Sequence, residues 1–224
     1  MNVELGQPAI SCTLCGAEGA AAVAETGEGE YFDCGCCGLI FLHPELRPGR
    51  ESEAAHYGTH ENDPKDPRYR AFLDRLFTPL QTKLKPGAQG LDFGSGPGPA
   101  LSVMLEEAGF PMAIYDPFFA PDTRVLERRY DFVTCTETVE HFHHPAREFD
   151  RLAGLLKPGG WLGVMTEPFP QEGDFASWWY RRDPTHVCFY RERTFGWLAA
   201  RYGWYWERAG RTVILFQQPA PLVT

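Results

Sequence analysis

The stretch Gly90-Leu91-Asp92-Phe93-Gly94-Ser95-Gly96-Pro97-Gly98 decides the fold, because a short apolar run ends there in an acid and three alternate glycines. Glycine reaches backbone angles that are closed to other residues and has no Cβ, so a strand can turn tightly while a ligand lies against the backbone. Over residues 99–109, apolar side chains recur at the three-and-four spacing of an amphipathic helix. The segment therefore predicts a strand, a glycine turn and a helix, with a nucleotide-type ligand at the top of a parallel sheet.

The glycine spacing selects among nucleotide ligands. A dinucleotide fingerprint needs its third glycine at position 99, which is Pro99. A phosphate-binding loop needs Gly-Lys-Ser/Thr, and no lysine lies between Lys85 and Lys157. The sequence therefore argues against NAD and against ATP or GTP.

The pattern acid-x-Gly-x-Gly-x-Gly resembles motif I of the class I S-adenosylmethionine-dependent methyltransferases. The resemblance implies that S-adenosylmethionine is the cofactor, that Asp92 lies near its methionine amine through the loop, and that Gly94, Gly96 and Gly98 let it approach. A second acid, Asp116, closes the next predicted strand about one βα unit later. An α/β sheet places a carboxylate there to accept both ribose hydroxyls, so Asp116 is predicted to bind the ribose.

Two later segments resemble the same superfamily. Residues 130–137 are predicted to form the next parallel strand, and Glu137-Thr138-Val139-Glu140-His141-Phe142 resembles the family's motif at the carboxyl end of that strand. Residues 155–162, Leu-Leu-Lys-Pro-Gly-Gly-Trp-Leu, form a phrase that is typical of the superfamily. The resemblance therefore covers residues 87–167 motif by motif.

Cysteine spacing defines the N-terminal region. Cys12-Thr13-Leu14-Cys15 and Cys34-Gly35-Cys36-Cys37 can each project two thiolates from one tight knuckle, and a glycine follows each pair. Four thiolates at this spacing suit tetrahedral zinc in a closed site that holds a fold and leaves no position for a substrate. We therefore predict a structural zinc on Cys12, Cys15, Cys34 and Cys37, with Cys36 as the alternative to Cys34. Disulfides are disfavoured in a reducing cytosol, and two matched pairs disfavour a redox Cys-x-x-Cys.

The implied fold is α/β: a Rossmann-like, seven-stranded, mostly parallel sheet with a closing antiparallel hairpin, plus a small N-terminal zinc ribbon. One stretch departs from the family layout, because only fourteen residues separate Asp116 from Asp131 where a full-length member fits another helix and strand. Arg124-Val125-Leu126 is predicted to be a shortened strand there. The acid that often contacts the adenine amine has no clear counterpart, and Asp122 is the candidate for that contact.

Composition divides the chain into three parts. Residues 1–43 are predicted to form the zinc ribbon. Residues 44–70 are polar and punctuated by prolines, which fits a solvated linker and a lid over the cofactor equally well. Residues 71–224 are predicted to form the methyltransferase domain, with an aromatic insert over residues 169–190 that walls the acceptor pocket.

The predicted catalytic residues are His186, His141 and Glu137, in that order. Transfer from a sulfonium to oxygen or nitrogen is faster when the acceptor proton is being removed, and imidazole titrates near neutral pH. His186 is the first candidate for a general base, and the alternative is a histidine that only stabilises an ordered lid. Ligands of open α/β sheets lie outside the carboxyl ends of the strands, so Glu137, Glu140 and His141 are predicted to lie near the methyl group or its acceptor. Glu137 is also predicted to bind the cofactor. Arg181 and Arg182 could hold a carboxylate or a phosphate on the acceptor.

Charge and hydropathy limit the classes of partner that the sequence allows. The 224 residues carry 21 Lys plus Arg against 30 Asp plus Glu, a net charge of −9, and residues 1–60 hold nine acids and two arginines. Such a surface repels phosphate backbones, so nucleic acid is disfavoured as a partner. No stretch reaches the roughly 20 apolar residues that span a bilayer, and no basic-then-apolar leader opens the chain. The sequence predicts a cytoplasmic protein without a membrane partner.

The predicted function is S-adenosylmethionine-dependent methyl transfer to an oxygen, a nitrogen or a carbon of a small or medium-sized metabolite. Two alternatives stay open. One is an RNA methyltransferase that acts on rRNA or tRNA and is guided by the zinc ribbon, which would need a basic face. The other is a cofactor-binding module without catalysis, whose acidic ribbon recruits a protein partner. The acceptor, the methylated atom and the oligomeric state are not predicted.

Overall fold

The computed structural model describes residues 10–27, 29–59 and 62–220. The sites predicted in the sequence all fall within these ranges, whereas the first nine residues of the predicted ribbon lie outside them. Strands and helices follow one another in this order: β1 (Ala21–Thr26), β2 (Gly29–Asp33), β3 (Ile40–Leu42), α1 (Arg50–Tyr57), α2 (Pro67–Gln81), β4 (Gly90–Phe93), α3 (Ala100–Glu107), β5 (Met112–Tyr115), β6 (Tyr130–Thr136), α4 (Pro145–Leu155), β7 (Leu156–Met165), β8 (Cys188–Phe189), α5 (Glu192–Tyr202), β9 (Tyr205–Arg208) and β10 (Val213–Gln217).

The larger sheet carries the predicted nucleotide-type site. Its strand order is β5-β4-β6-β7-β10-β9. The first four of these strands are parallel, and β10 and β9 form an antiparallel hairpin along the β7 edge. The α/β fold class, with a mostly parallel sheet and a closing hairpin, is confirmed.

The number of strands differs from the expectation. Across the described residues this sheet has six strands, whereas the family resemblance implies seven. Thr123–Glu127, which includes the predicted short strand, forms a 3-10 helix instead. The carboxylate of Asp122 accepts a hydrogen bond from the backbone N–H of Arg124 at 3.0 Å, which favours a capped turn over an extended strand. The fourteen residues after Asp116 are therefore too few for another helix and strand, and one tight turn bridges them.

Helices bury both faces of this sheet. α2 and α3 pack on one face, in a cluster that includes Leu76, Leu80 and Leu215. α4 and α5 pack on the other face, in a cluster that includes Phe149 and Phe216. Neighbouring residues of β10 thus enter opposite clusters, as expected for a strand that is covered on both sides. None of the helices in the described ranges is long and apolar enough to cross a bilayer.

A second, four-stranded sheet joins the N-terminal region to the rest of the chain. Its order is β1-β2-β3-β8, and β8 comes from the predicted aromatic insert. Ile40 pairs with Phe189, and the backbone N–H of Leu42 donates to the carbonyl oxygen of Val187 at 2.9 Å. Buried side chains of this sheet and of α4 belong to one continuous hydrophobic cluster. The ribbon therefore shares its core with the larger sheet.

Two arginines bind the ribbon to α5: Arg191 directly precedes this helix, and Arg193 lies in its first turn. Nη1 of Arg191 donates to Oδ1 of Asp33 at 2.7 Å and to the carbonyl oxygen of Gly38 at 3.1 Å. Nη2 of Arg193 donates to the same Asp33 oxygen at 3.2 Å and to the carbonyl oxygen of Cys34 at 3.3 Å. These contacts connect the second cysteine pair directly to the helix that follows β8.

Candidate functional site

A cavity of about 960 Å³ opens at the carboxyl ends of β4, β5 and β6. Its lining comes from the glycine turn after β4, from α1, from the start of α4 and from the aromatic insert. Open α/β sheets bind their ligands at this edge, and cavities of this size hold cofactors and small molecules.

The predicted linker, 44–70, contributes a helix to this cavity. Tyr57, at the end of α1, and Asn62 both line it. The ring of Tyr57 packs edge-on against Phe118 and His141, with ring centroids 5.4 and 5.2 Å apart. The segment therefore lines the cavity, and its role as a cofactor lid stays a prediction.

Glycine is required at the three predicted positions for two different reasons, a positive φ at Gly94 and Gly96 and a close backbone contact at Gly98. Gly94 and Gly96 line the cavity and have φ angles of 81° and 65°, which side chains rarely allow. Gly98 does not belong to the lining. A Cβ on Gly98 would lie 1.8 Å from the backbone oxygen of Asn62. Gly98 is therefore required by the segment that covers the loop, and the structure does not bring it to the cavity.

Asp116 lines the cavity at the carboxyl end of β5. Its Oδ2 accepts from the backbone N–H of Gly96 at 3.0 Å, and its Oδ1 accepts from those of Phe118 and Phe119 at 2.8 and 3.0 Å. These bonds hold the carboxylate against the glycine turn. Each carboxylate oxygen has two lone pairs, so acceptor capacity is left for a ligand hydroxyl.

Asp92 lies in the sheet and away from the cavity lining. Its carboxylate accepts from the hydroxyls of Thr134 at 2.7 Å and Ser102 at 3.2 Å, and burial raises its pKa to about 6. The expectation that Asp92 lies near the methionine amine through the loop stays a prediction, and in this geometry Asp92 supports the glycine turn from beneath. Asp92 lies on β4, and in the described chain its hydroxyl donors are Thr134 on β6 and Ser102 on α3. Its carboxylate therefore links these three elements beneath the glycine turn.

Glu137 stands at the end of β6 with a φ of 47°, a conformation that costs an L-residue about 1–2 kcal/mol. Its Oε2 lies 3.2 Å from the hydroxyl of Tyr180, which also contacts Oε1 of Glu140 at shorter range. Burial and the charge of Glu140 raise the pKa of Glu137 to about 9. Burial also raises the pKa of Glu140. Because the Tyr180 hydroxyl has a single hydrogen, it donates to one of these two carboxyl groups at a time.

The two predicted catalytic histidines lie side by side in the cavity, with ring centroids 4.8 Å apart. Nδ1 of His186 donates to the carbonyl oxygen of Tyr180 at 2.7 Å, and Nδ1 of His141 donates to that of Thr185 at 3.0 Å. Carbonyl oxygens only accept, so Nδ1 carries the hydrogen in both bonds, and Nε2 of a neutral His186 keeps its lone pair. Burial, with the nearby His141, lowers the pKa of His186, which keeps its ring neutral at physiological pH.

Glu140 completes a cluster with these histidines. Glu140, His141 and His186 each offer one ligand atom, and the three atoms lie within 4.8 Å of one another. Glu140 is fully buried, and within the described residues its Oε2 has no hydrogen-bond partner. Such a group can hold a divalent cation or stabilise a histidine that has taken up a proton.

The two arginines that the sequence predicts to bind an anion have different environments. Arg181 is buried, and its guanidinium donates to the carbonyl oxygens of Phe175 and Ala176, so it serves the fold of the insert. Arg182 lines the cavity. Of the pair, the structure brings Arg182 alone to the site.

A family model described as a methyltransferase domain matches residues 61–208. The chain belongs to this methyltransferase family. A ubiquinone biosynthesis O-methyltransferase of Serratia proteamaculans is 34% identical over 88 residues, which are 38% of this chain and 36% of that protein. Another from Leptothrix cholodnii is 50% identical over 38 residues, 17% of this chain and 16% of that protein. The match thus covers 36% of the length of the first curated relative and 16% of the second.

A solved structure shows the same fold as this methyltransferase. It is the Burkholderia thailandensis 1,6-didemethyltoxoflavin-N1-methyltransferase with bound 1,6-didemethyltoxoflavin and S-adenosylhomocysteine. The two chains are 16% identical with a TM-score of 0.53, and the match covers 89% of this chain and 100% of the other. The resemblance drawn from the sequence motifs is confirmed at the level of family and fold.

The methyltransferase also carries a compact cluster of thiols. The sulfurs of Cys12, Cys15, Cys34 and Cys37 all lie within 4.8 Å of one another, with Sγ to Sγ distances of 3.6 Å for Cys12–Cys37 and 3.4 Å for Cys15–Cys34. A tetrahedral site with Zn–S bonds of about 2.3 Å places its sulfurs about 3.8 Å apart. A disulfide would place them about 2.0 Å apart. The cluster fits zinc, and Cys36 is exposed and lies outside it.

Both cysteine pairs adopt the same tight turn. The backbone N–H of Gly16 donates to the carbonyl oxygen of Cys12 at 2.9 Å, and that of Gly38 donates to the carbonyl oxygen of Cys34 at 2.8 Å. Gly16 and Gly38 have φ angles of 74° and 79°. The turns aim all four thiols at one point, as the repeated Cys-x-x-Cys-Gly pattern predicts.

The sequence places Glu140, with Glu137 and His141, near the methyl group or its acceptor, and the structure brings Glu140 beside both histidines. Sequence reasoning missed one buried member of the site, Tyr180. Tyr180 gave no signal beyond the aromatic density of the insert. Its hydroxyl connects Glu137 to Glu140, so it belongs to the hydrogen-bond network of the methyltransferase site.

Proposed function

We propose that this methyltransferase moves the methyl group of S-adenosylmethionine to an oxygen or nitrogen, or to a carbon, of a small or medium-sized metabolite. The observation that carries the proposal is the pairing of Asp116 with the glycine turn, both of which face one cavity. The Burkholderia enzyme, whose structure holds a small molecule and S-adenosylhomocysteine, supports it, as do the relatives named O-methyltransferases.

The chain's own residues would hold the cofactor as follows. Oδ2 of Asp116 accepts a ribose hydroxyl, and the backbone of Gly94 and Gly96 allows close approach. Phe118, which lines the cavity beside Asp116, supplies an aromatic face for the base. When bound, S-adenosylmethionine supplies a methyl group that is already activated on a sulfonium.

The protein then has two tasks, to align the acceptor with the methyl group and to remove the proton of the acceptor. The cavity residues fix the acceptor in line with the methyl group, which lowers the entropic part of the barrier. Nε2 of His186 takes the proton of the acceptor hydroxyl or amine as the new bond forms. The carboxylates of Glu140 and Asp183 stabilise the imidazolium, since Oδ2 of Asp183 lies 3.9 Å from that nitrogen. A structural zinc on Cys12, Cys15, Cys34 and Cys37 would hold the ribbon that supports this region and would take no part in the chemistry.

Calorimetry of S-adenosylmethionine binding tests the proposal. We expect micromolar binding by the wild type and at least tenfold weaker binding by Asp116→Ala, because hydrogen bonds to a charged group contribute about 1.5–3 kcal/mol each. Gly96→Val should also lose affinity, since a β-branched residue is strained at a φ of 65°. Asp122→Ala is the matched control, because the structure places Asp122, the sequence candidate for the adenine contact, at an exposed position outside the cavity lining. A folded wild-type protein that binds no S-adenosylmethionine would rule the proposal out.

Turnover separates the enzyme from the alternatives. An acceptor screen with metabolite extracts, followed by RNA, should yield a methylated small molecule. Tight binding of S-adenosylmethionine with no methylated product in either screen would favour the module without catalysis.

Gly98→Ala tests the packing of the covering segment against the glycine turn. Its Cβ would overlap the backbone oxygen of Asn62, so we expect the segment to shift and cofactor affinity to fall about tenfold, with little change in melting temperature. Gly154→Ala is the control, because that glycine lies in α4 with open space around its Cβ position. Calorimetry on both variants decides the point. Wild-type affinity in Gly98→Ala would show that the contact with Asn62 does not matter for binding.

A further inference from the structure

Arginine is concentrated around the cavity of an otherwise acidic chain. The net charge is −9, yet Arg50, Arg147, Arg151 and Arg182 all line the cavity. Charges of one sign around a concave site raise the local concentration of an oppositely charged ligand. What the cavity attracts therefore depends on which of these cations already have partners.

Most of the cavity's acids are already engaged. Glu148 pairs with Arg151 at 2.7 Å, and Asp183 lies 3.1 Å from Nε2 of His56. Asp116 accepts hydrogen bonds from three backbone N–H groups. None of these three carboxylates forms an ion pair with Arg147 or Arg182 in the described parts of the chain.

Arg147 and Arg182 differ from the other two arginines. Arg50 donates to the carbonyl oxygen of Pro117 at 2.7 Å, and Arg151 has its carboxylate partner. In the described parts of the chain, Arg147 and Arg182 make no hydrogen bond or ion pair, and both are exposed at the cavity. Two guanidinium groups without partners thus face the space where a ligand binds.

We propose that the methyl acceptor carries an oxyanion, a carboxylate or a phosphate, and that Arg147 and Arg182 bind it. This inference rests on the proposed function, since it concerns the acceptor of the same cavity. A guanidinium presents a planar fork of N–H donors that matches both oxyanions, and such charge-assisted pairs orient a ligand as well as hold it.

The two arginines come from different elements. Arg147 lies in the first turns of α4, and Arg182 lies in the insert, four residues before His186. An anion held by both arginines would bridge α4, which follows His141 in sequence, and the insert, which contains His186. The uncharged end of the acceptor is then left to face the histidines.

The test compares three phenols that differ in one group: 4-hydroxybenzoate, 4-hydroxyphenyl phosphate and the neutral 4-hydroxybenzamide. Their binding to the protein loaded with S-adenosylhomocysteine is measured by calorimetry. We expect one of the two anions to bind at least tenfold more tightly than the amide. Which anion binds more tightly distinguishes a carboxylate site from a phosphate site.

Variants of the two arginines test whether these residues cause the tighter binding of the anionic phenol. Arg147→Gln and Arg182→Gln should each reduce the preference about tenfold, and the double variant should abolish it, with S-adenosylhomocysteine affinity unchanged. Arg129→Gln is the matched control, since Arg129 is exposed, lies outside the cavity lining and carries the same charge. A preference that is absent, or that survives in the double variant, overturns the inference. Weaker S-adenosylhomocysteine binding in the variants overturns it too, because the arginines would then serve the cofactor, whereas a wild type that binds no S-adenosylhomocysteine contradicts the proposed function instead.

Discussion

His186→Asn is expected to lower kcat by about two to four orders of magnitude while S-adenosylhomocysteine binding stays at the wild-type level. Asparagine can still donate a hydrogen bond to the carbonyl oxygen of Tyr180, as Nδ1 of His186 does at 2.7 Å. It has no basic nitrogen to accept the proton of the acceptor. The local fold is therefore kept and the proton acceptor is removed, which is the distinction that the measurement needs.

The pH dependence gives the same residue a second test. Burial lowers the pKa of His186 below its usual 6.5, so the neutral base is already present at pH 7. We expect kcat to rise with pH through a pKa below 6.5 and to be level around pH 7 to 8. In His186→Asn this rise should be missing from the profile. His43→Asn is the control, because His43 lies outside the cavity lining. A variant with wild-type kcat would leave His186 with the structural role that the sequence also allowed.

Loss of the thiol cluster is expected to destabilise the whole methyltransferase. Cys37→Ser removes one of four sulfurs that lie within 4.8 Å of one another, and structural zinc contributes about 10–16 kcal/mol to the folding of small zinc domains. Here the ribbon packs on the same hydrophobic cluster as α4, so part of that loss reaches the larger sheet. A loss of several kcal/mol lowers the melting temperature by more than about 10 °C in a chain of this size.

Cys36→Ser is the matched control for the cluster. It makes the same chemical change one residue away, at an exposed thiol outside the cluster. Mass spectrometry of the native protein should find one zinc per chain in the wild type and in Cys36→Ser, and none in Cys37→Ser. Zinc-free wild-type protein with an unchanged melting temperature would contradict a structural zinc, and a loss of zinc from Cys36→Ser would give Cys36 the place assigned to Cys34.

The sequence predicted those parts of the fold and site whose chemistry is local. The turn after Asp92 requires glycine because φ is positive at Gly94 and Gly96, and that requirement is visible in the spacing alone. The cysteine pairs are equally local, because each knuckle closes within five residues. The glycine turn and the cysteine knuckles can be predicted from sequence because their geometry does not depend on where distant parts of the chain lie.

The contacts that sequence reasoning missed are all formed between distant segments. Tyr180 reaches Glu140 across 40 residues, and Gly98 is fixed by Asn62 rather than by the ligand. Asp92 fits the motif in the sequence, yet its direction is set by the hydroxyl of Thr134 on the neighbouring strand. Strand register and loop packing decide these contacts, and neither leaves a periodic trace in the amino-acid order.

The short strand β8 has a consequence for how this architecture can vary. Its two residues complete the sheet of the ribbon, and they follow His186 after a single intervening residue. A ribbon of this kind is not an exchangeable module, because deleting or swapping it would remove the backbone partner that holds the segment carrying the base. Insertions and deletions in related chains should therefore spare β3 and β8 together, and the two segments should change as a unit during divergence.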